Sequence, residues 1–394
     1  MHRVVVIGDA PQSLAVVRSL GRAGYTVVVV HRQSTSIAGS SRYCVQSWRS
    51  PDLHDVDFEH QFLQFLQTLD QVTALFPVGV ESVLAMQQLK RRGLINLPIV
   101  GVQADLAQLF HNKEKANSVV AEAGVDIPKT EHVETLEQLQ QAAKRIGYPV
   151  ITKSPVNAGP VIGRKALILH NEAELQRLLP KWPHNHQVLM VQRFIKGIQL
   201  SCDFAACDGK IVAYYEGRTD HTDEDDGTGF VVDFCAAEPN PYLFQTLRNI
   251  VAHTNYSGPG LLQCIAQDGG ERCVFVEVNP RLSAGVQEAI HAGIDLPLIC
   301  LHSALGESPE VISGVQAAAY QVGRRTYWFE RDFRGYRRHR HIMSWRQKVS
   351  WWWSAAGRWW RCDGHIMLDW SDLQPSLRTL KAAFLQRRKR TVTD

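Results

Sequence analysis

The sequence predicts an α/β fold that begins with a doubly wound parallel sheet and ends with a basic, tryptophan-rich helical extension. Three observations predict it: a strand–helix–strand alternation over residues 3–32, a β-rich run at 274–281, and a concentration of Lys, Arg and Trp over 324–361. At 394 residues and 45% hydrophobic content, the chain is long enough for two or three domains that each bury a core.

The N-terminal alternation predicts a βαβ unit of a parallel sheet. β-branched runs at 4–7 and 26–30 flank a stretch with helical spacing at 12–23, and Gly24 ends the helix. Gly8 follows the first strand, where doubly wound folds bind ligands. The Gly-x-Gly-x-x-Gly fingerprint is missing, so we predict no NAD site. Further strands are expected at 74–77 and 98–102, with a helix over 81–92 between them.

The β-rich run Val-Phe-Val-Glu-Val-Asn-Pro-Arg at 274–281 contains the first candidate residues of a functional site. Glu277 and Asn279 are two positions apart, which places both side chains on one face of a strand. Carboxylate and amide oxygens suit Mg²⁺, which shares its remaining positions with water and substrate phosphates. Arg281 follows the Pro that ends the strand and can contact an anionic group bidentately. The run predicts one half of a magnesium–nucleotide site.

Cysteine use and the first residues predict a reduced, cytoplasmic location. The eight cysteines form no Cys-x-x-Cys pair, and a strand follows Met1 with no room for a signal peptide. No apolar run approaches the roughly 20 residues that cross a bilayer.

Four further segments accompany the Glu277 run in an order that resembles the ATP-grasp ligases, in particular their carbamoyl-phosphate-synthetase-like branch. Lys113 opens a helical stretch that ends at Gly124, and Lys153 lies at the tip of a strand. A hinge-like segment spans 192–197, and Gln263 lies fourteen residues before Glu277. The resemblance covers roughly residues 105–310 and is closest to uncharacterised carboxylate–amine ligases.

This resemblance implies three domains and an activity. The domains are a pre-ATP-grasp Rossmann-like domain at 1–105, an ATP-grasp domain at 106–318 and the basic aromatic extension at 319–394. The two lobes of the ATP-grasp domain would be 106–190 and 191–318. The implied activity is ATP-dependent activation of a carboxylate as an acyl phosphate, which an amine or similar nucleophile then attacks, with release of ADP and phosphate.

The resemblance also implies roles for individual residues. Catalytic roles fall on Arg281 and Glu277. The implied metal is Mg²⁺, with Mn²⁺ as an alternative, and its ligands are Gln263, Glu277 and Asn279. The implied ATP-binding residues are Lys113, Lys153, Gly159, Gly163, Gln192, Phe194, Ile195 and Gln199.

Two departures from the family pattern keep other functions open. Many relatives have acids where this chain has Gln192, Gln199 and Gln263. An amide hydrogen-bonds more weakly than a carboxylate, so weaker nucleotide binding is expected. The loop at 157–165 is also more apolar than a typical phosphate loop. A non-catalytic nucleotide-binding or scaffold protein and a bicarbonate-activating, carboxylase-like enzyme remain alternatives to the ligase.

The C-terminal segment carries the positive charge of the chain. Residues 324–361 contain eleven Lys or Arg against two acids, Glu330 and Asp332. Residues 342–361 predict a basic amphipathic helix, which suits the anionic inner face of a membrane. Packing against the ligase domain or a second subunit, as in a homodimer, is the alternative. No nucleic-acid motif is present, and no nucleic-acid partner is expected. The apolar stripe consists of Ile342, Trp345, Val349, Trp352, Trp353, Ala356 and Trp360.

Overall fold

A computed structural model describes residues 2–154, 162, 166–182, 189–307, 309–312, 314 and 319–385. The N-terminal part is a parallel four-stranded sheet of order β3-β2-β1-β4. Its strands are buried on both faces: Val4 and Val6 pack into one core and Val5 and Ile7 into another. This confirms the doubly wound prediction. Its elements are β1 (Arg3–Ile7), α1 (Pro11–Arg22), β2 (Thr26–His31), β3 (Cys44–Arg49), α2 (Phe58–Gln67), β4 (Val72–Pro77) and α3 (Val80–Arg91).

One strand predicted in this sheet is wrong, and one strand of the sheet was not predicted. The predicted strand at 98–102 is wrong, because only Ile99 forms a bridge, to Leu75 of β4. Strand β3 was not predicted. It is an edge strand with several exposed residues, so it lacks the apolar runs that mark β1 and β2.

The middle of the chain forms a second four-stranded sheet of order β5-β8-β6-β7, in which the pairings are antiparallel. Helix α6 covers it with Leu139, Ala142 and Ile146 in a core of its own. The elements that lead into and build this lobe are α4 (Ala104–His111), α5 (Lys113–Glu122), β5 (Thr130–Val133), α6 (Leu136–Ile146), β6 (Val150–Lys153), β7 (Ala166–Leu169), α7 (Glu172–Leu178) and β8 (Leu189–Arg193).

The third sheet has seven strands in the order β13-β12-β9-β10-β11-β14-β15. Its last two strands belong to the C-terminal segment, so that segment extends the central sheet instead of following it as a separate unit. The elements are β9 (Ile198–Cys207), β10 (Lys210–Thr222), β11 (Val231–Ala236), α8 (Pro241–His253), β12 (Gly258–Gln267), β13 (Arg272–Asn279), α9 (Gln287–His291), α10 (Leu296–Ala304), β14 (Arg325–Tyr327), α11 (Phe329–His339), α12 (Trp345–Arg361), β15 (Gly364–His365) and α13 (Leu373–Leu385).

Helix α12 packs against the rest of the chain through a face other than the predicted apolar stripe. Its inward residues include Ala355, which is 2% exposed, and Arg358, which pairs with Asp332 at 2.6 Å. Trp351 stacks on Tyr336 with ring centroids 4.3 Å apart. The alternative in which the predicted apolar stripe packs against the ligase domain is therefore wrong, and packing against a second subunit stays untested. The exposed fractions of the stripe are 74% for Ile342, 69% for Trp345, 46% for Val349, 45% for Trp352, 76% for Trp353 and 83% for Trp360.

All eight cysteines lie within the described ranges and are unpaired. Between residues 2 and 385, the described helices include none that is both long and apolar enough to cross a membrane.

Glu330 gives a pH-dependent stability prediction. It lies in the first turn of α11 at 4% exposure, and burial raises its pKa from 4.5 to about 7. When the pKa of a carboxyl group is higher in the folded state than in the unfolded state, the group contributes most to stability at pH values below its pKa in the unfolded state. This contribution is lost as the pH rises through its pKa in the folded state. We therefore expect Glu330→Gln to raise the free energy of unfolding by about 3 kcal/mol at pH 8 and to have little effect near pH 4.

Urea denaturation at both pH values measures this difference. The exposed Glu271→Gln serves as a control that should be neutral at each pH. Equal effects of Glu330→Gln at pH 4 and pH 8 would contradict the prediction.

Candidate active site

One face of the central sheet is polar and lines a cleft of about 310 Å³ between that sheet and the β5-β8-β6-β7 sheet. Alternation in β9 brings Gln199, Ser201 and Asp203 to this face, while Cys202 and Phe204 enter the core behind it. Strands β12 and β13 contribute Gln263, Glu277 and Asn279 to the same face. Polar groups from three adjacent strands therefore converge on one cavity.

The three predicted metal ligands lie together. Gln263 and Glu277 are register partners on neighbouring strands. The Asn279 Nδ2 donates to Glu277 Oε1 at 2.9 Å, so both side chains lie on one face of β13 as expected. The amide oxygens of Asn279 and Gln263 and the carboxylate of Glu277 form a hard-oxygen donor set with a single formal charge. This set fits Mg²⁺ that is bound together with nucleotide phosphates.

The predicted nucleotide-binding residues within the described ranges line the same cleft, with Lys153 and Gln192 on the opposite sheet and Gln199 on β9. Lys113 Nζ donates to the Ser154 backbone oxygen at 3.3 Å, which brings the start of α5 to the end of β6 beside Lys153. Gln192 is buried and donates through Nε2 to Thr130 Oγ1 at 2.9 Å, so one of its two amide N–H donors is used within the protein. Phe194, Ile195 and Gln199 line the cavity. Gly159 and Gly163 lie outside the described residues.

Arg281 lies where this cleft meets a second cavity of about 470 Å³. Its Nη1 donates to the Leu282 backbone oxygen at 2.9 Å. Burial lowers the pKa of the guanidinium, and the neighbouring Glu277 and Asp203 oppose this effect. The side chain remains a cation because an arginine pKa is far above neutrality.

The second cavity opens onto the N-terminal sheet at the carboxyl ends of β1 and β4. Gly8 follows β1 with a φ of +123°, and a Cβ there would lie 2.6 Å from Val78. Gln12 and His31 line the cavity together with Glu277 and Arg281. The N-terminal sheet therefore contributes its ligand-binding edge to the cleft.

Sequence reasoning missed the role of several residues that face the cleft. Asp203 follows the same period-two alternation that marked Glu277 and Asn279, so the signal was present in the sequence. Glu288, Phe234 and Trp328 line the cavity through tertiary contacts and carry no local signal.

The acidic segment 223–229 is partly buried, although its composition favours an exposed surface loop. Asp223 and Glu224 are buried. Arg331 of α11 donates to Asp223 at 2.9 Å, and Arg338 contacts both acids. The following residues, Asp226 to Phe230, line the cleft. The segment is anchored to α11 and forms one wall of the site.

Two family models match the chain. Residues 112–199 match the ATP-binding domain of the carbamoyl-phosphate synthase L chain, and residues 185–323 match the ATP-grasp family of the biosynthetic pathway with the Ter operon. The carbamoyl phosphate synthase large chain of Thermotoga sp. strain RQ2 is 23% identical over 82% of this chain and 31% of its own length. That of Thermomicrobium roseum is 25% identical over 72% of this chain and 27% of its own length. The chain thus spans less than a third of these curated relatives.

Solved structures share the fold at low identity. The ADP complex of N5-carboxyaminoimidazole ribonucleotide synthetase has a TM-score of 0.63 at 12% identity, covering 78% of each chain. The L-amino acid ligase of Bacillus licheniformis has a TM-score of 0.60 at 16% identity, covering 79% of this chain and 75% of that one. The biotin carboxylase domain of the Hydrogenobacter thermophilus 2-oxoglutarate carboxylase has a TM-score of 0.63 at 17% identity, covering 82% and 73%.

Two sheets enclose a cleft that is lined by lysine side chains and oxygen ligands. This arrangement defines an ATP-grasp protein. The family matches over 112–323 agree with this architecture. The chain belongs to the ATP-grasp superfamily, with relatives among the carbamoyl phosphate synthase large chains.

Proposed function

We propose that this protein is an ATP-dependent ligase that activates a carboxylate as an acyl phosphate and joins it to an amine. The observation that carries the proposal is the convergence of Gln263, Glu277, Asn279 and Arg281 with Lys113 and Lys153 in one cleft. Oxygen ligands, lysines and an arginine are the equipment that phosphoryl transfer needs, because the protein mainly positions phosphates and neutralises charge. Similar folds have been solved with ADP and with MgADP.

Each group has a role in this reaction. Lys113 and Lys153 neutralise the nucleotide phosphates, while the segment from Gln192 to Ile195 borders the base and Gln199 contacts the ribose. Gln263, Glu277 and Asn279 would hold Mg²⁺, which would supply charge neutralisation to the phosphates. Arg281 stabilises the negative charge on the transferred phosphoryl group.

The chemistry has two steps. A carboxylate oxygen attacks the γ-phosphorus, the bond to the β-phosphate oxygen breaks, and ADP leaves. The amine lone pair then attacks the acyl carbon, a C–N bond forms, the C–O bond to phosphate breaks, and the nitrogen loses a proton. No protein nucleophile is needed in either step.

Phosphate release from ATP and Mg²⁺ across a panel of amino acids, small carboxylates and bicarbonate tests the proposal. Release that requires both a carboxylate and an amine, with a product containing the new C–N bond, supports the ligase. Release with bicarbonate alone would favour a carboxylase-like reaction instead. ATP binding without turnover across the panel would favour the non-catalytic alternative.

We also propose that the exposed stripe of α12 binds an anionic membrane surface. The stripe presents four tryptophans to solvent, and Arg346 and Lys348 flank it on its two sides. Both acids within 324–361 are buried, Glu330 at 4% and Asp332 at 2%, so the exposed charge of this segment is basic. Apolar rings beside exposed cations complement the boundary between acyl chains and anionic headgroups.

Replacing two of these rings tests the membrane proposal. We expect the intact protein to co-sediment at low salt with vesicles that contain about one third phosphatidylserine, because each basic residue near such a surface contributes roughly 1 kcal/mol. Trp353→Ser combined with Trp360→Ser should reduce the bound fraction at least about tenfold, since the buried apolar area is lost.

Tyr242→Ser is the matched control, because Tyr242 is 49% exposed on α8, outside this surface. Equal sedimentation with neutral phosphatidylcholine vesicles would contradict the electrostatic part of the proposal. A protein that stays in the supernatant and forms dimers that the double variant dissociates would assign the stripe to a second copy of the chain.

A further inference from the structure

Two buried carboxylates line the cleft beyond the proposed metal ligands. Asp203 on β9 is 1% exposed and Glu288 on α9 is 3% exposed, yet both border the cavity. Leu261 on β12 is the register partner of Asp203 on β9 and of Asn279 on β13. Asp203 and Asn279 therefore lie in one row across the sheet, two strands apart. At the usual strand spacing their backbones are about 10 Å apart, within the length of a small substrate that also reaches the metal ligands.

These carboxylates have few internal partners. Asp203 Oδ2 accepts from Ser283 Oγ at 3.0 Å, whereas its buried Oδ1 has no hydrogen-bond partner among the described residues. Glu288 Oε2 accepts from Tyr215 Oη at 3.3 Å. Within the described part of the chain, neither acid forms an ion pair with Lys, Arg or His. An unpaired buried carboxylate is costly, so a ligand is its natural partner.

The electrostatics agree with this geometry. Burial raises the pKa of Asp203 to about 7, against the effects of the Ser283 hydrogen bonds and the nearby Arg281. Burial raises the pKa of Glu288 well above its usual range, and repulsion from Asp203 raises it further. A cation placed between the two acids would relieve both effects.

Two glycines leave room for the Glu288 carboxylate at the cavity wall. A Cβ on Gly217 would lie 3.1 Å from Glu288 Oε2, and a Cβ on Gly285 would lie 3.3 Å from Glu288 Oε1. The aromatic side chains Phe234 and Trp328 line the same cavity. Carboxylates combined with aromatic rings are the usual lining of a site for an organic ammonium group.

We infer that Asp203 and Glu288 form the subsite for the ammonium group of the amine substrate, with Phe234 and Trp328 covering its adjoining carbon atoms. The inference rests on the proposed ligase function and names its second substrate as a primary amine that enters as a cation and transfers one proton to the Asp203 carboxylate before its lone pair attacks the acyl carbon. Arg281 interacts electrostatically with Asp203 of this subsite and with the metal ligand Glu277, so the amine and the activated carboxylate would meet near it.

Binding of n-butylammonium to the full chain tests the subsite, with n-butanol as a neutral probe of the same length. We expect the wild type to bind the cation at least tenfold more tightly than the alcohol in ligand-observed NMR titrations at pH 8. The isosteric variants Asp203→Asn and Glu288→Gln should each reduce this ratio at least tenfold. Glu216→Gln is the matched control, because Glu216 is also 1% exposed but bonds Tyr214 Oη and the Asn240 amide instead of lining the cleft.

A measurement on the wild type alone covers the case in which a variant fails to fold. The groups that face the pair are Arg281, Ser283 and Tyr215. Since alkylammonium ions keep their charge below about pH 10, binding should weaken as pH falls from 8 to 6 and Asp203 gains a proton. Equal binding of butanol and butylammonium, or a ratio that neither variant changes, would overturn the subsite.

Binding of an ATP analogue with Mg²⁺ in the same samples separates the two proposals. Nucleotide binding without cation selectivity overturns the ammonium subsite and leaves the nucleotide-binding part of the ligase proposal standing. Cation selectivity without nucleotide binding supports the subsite and overturns the ATP-dependent ligase.

Discussion

Glu277→Ala is expected to reduce ATP-dependent turnover about a thousandfold or more. Of the three proposed ligands, Glu277 alone carries a charge, because Gln263 and Asn279 contribute neutral amide oxygens. Charge neutralisation by a bound metal contributes several kcal/mol to phosphoryl transfer, and each 1.36 kcal/mol changes a rate about tenfold. The Asn279 amide would also lose the acceptor that it contacts at 2.9 Å.

Two further variants distinguish the charge from the oxygen ligand. Glu277→Gln keeps an oxygen at this position and should retain more turnover than alanine, with a stronger dependence on Mg²⁺ concentration. Glu271→Ala lies next to the same strand on the exposed surface and should leave turnover unchanged. The measurement is phosphate release at several Mg²⁺ concentrations with an active substrate pair. Full activity of Glu277→Ala would show that β12 and β13 do not hold a metal needed for turnover.

The sequence predicted the parts of the site that depend on local periodicity. Glu277 and Asn279 share a face because side chains alternate along a strand. Gln263 required the family resemblance, since the pairing of β12 with β13 is not encoded in either strand alone. Asp203 has the same alternation pattern as Glu277, but no metal-ligand motif distinguished it from an ordinary strand residue.

The parts that could not be predicted depend on contacts between distant residues. Glu288 meets Tyr215 across 73 positions, and Asp223 meets Arg331 across 108 positions. Which face of α12 packs inward could not be predicted either, because the helix has two apolar faces. Periodicity identified the stripe that begins at Ile342. Burial of Ala355 and pairing of Arg358 with Asp332 determine that the opposite face packs inward.

A buried arginine of the N-terminal part of the chain contacts the C-terminal segment. Arg18 on α1 is 1% exposed and donates through Nε to Asp372 Oδ2 at 2.9 Å. Its Nη1 and Nη2 donate to the backbone oxygens of Met367 and Asp372 at 3.0 and 2.9 Å. The Asp372 carboxylate also accepts from Ser41 Oγ at 2.7 Å and the Arg42 amide at 2.9 Å. A single side chain thus joins residues 354 positions apart.

Arg18→Met is therefore expected to lower the free energy of unfolding by about 3–5 kcal/mol, because it leaves the Asp372 carboxylate buried without its cation. Urea denaturation followed by tryptophan fluorescence measures the loss. Arg91→Met is the matched control: the Arg91–Asp105 pair is exposed at 61% and 83%, so its removal should cost about 0–1 kcal/mol. Adding Asp372→Leu to Arg18→Met removes the unpaired buried carboxylate and should recover part of the lost free energy of unfolding. A loss below about 1 kcal/mol for Arg18→Met alone would mean that residues 366–372 do not depend on this contact for docking.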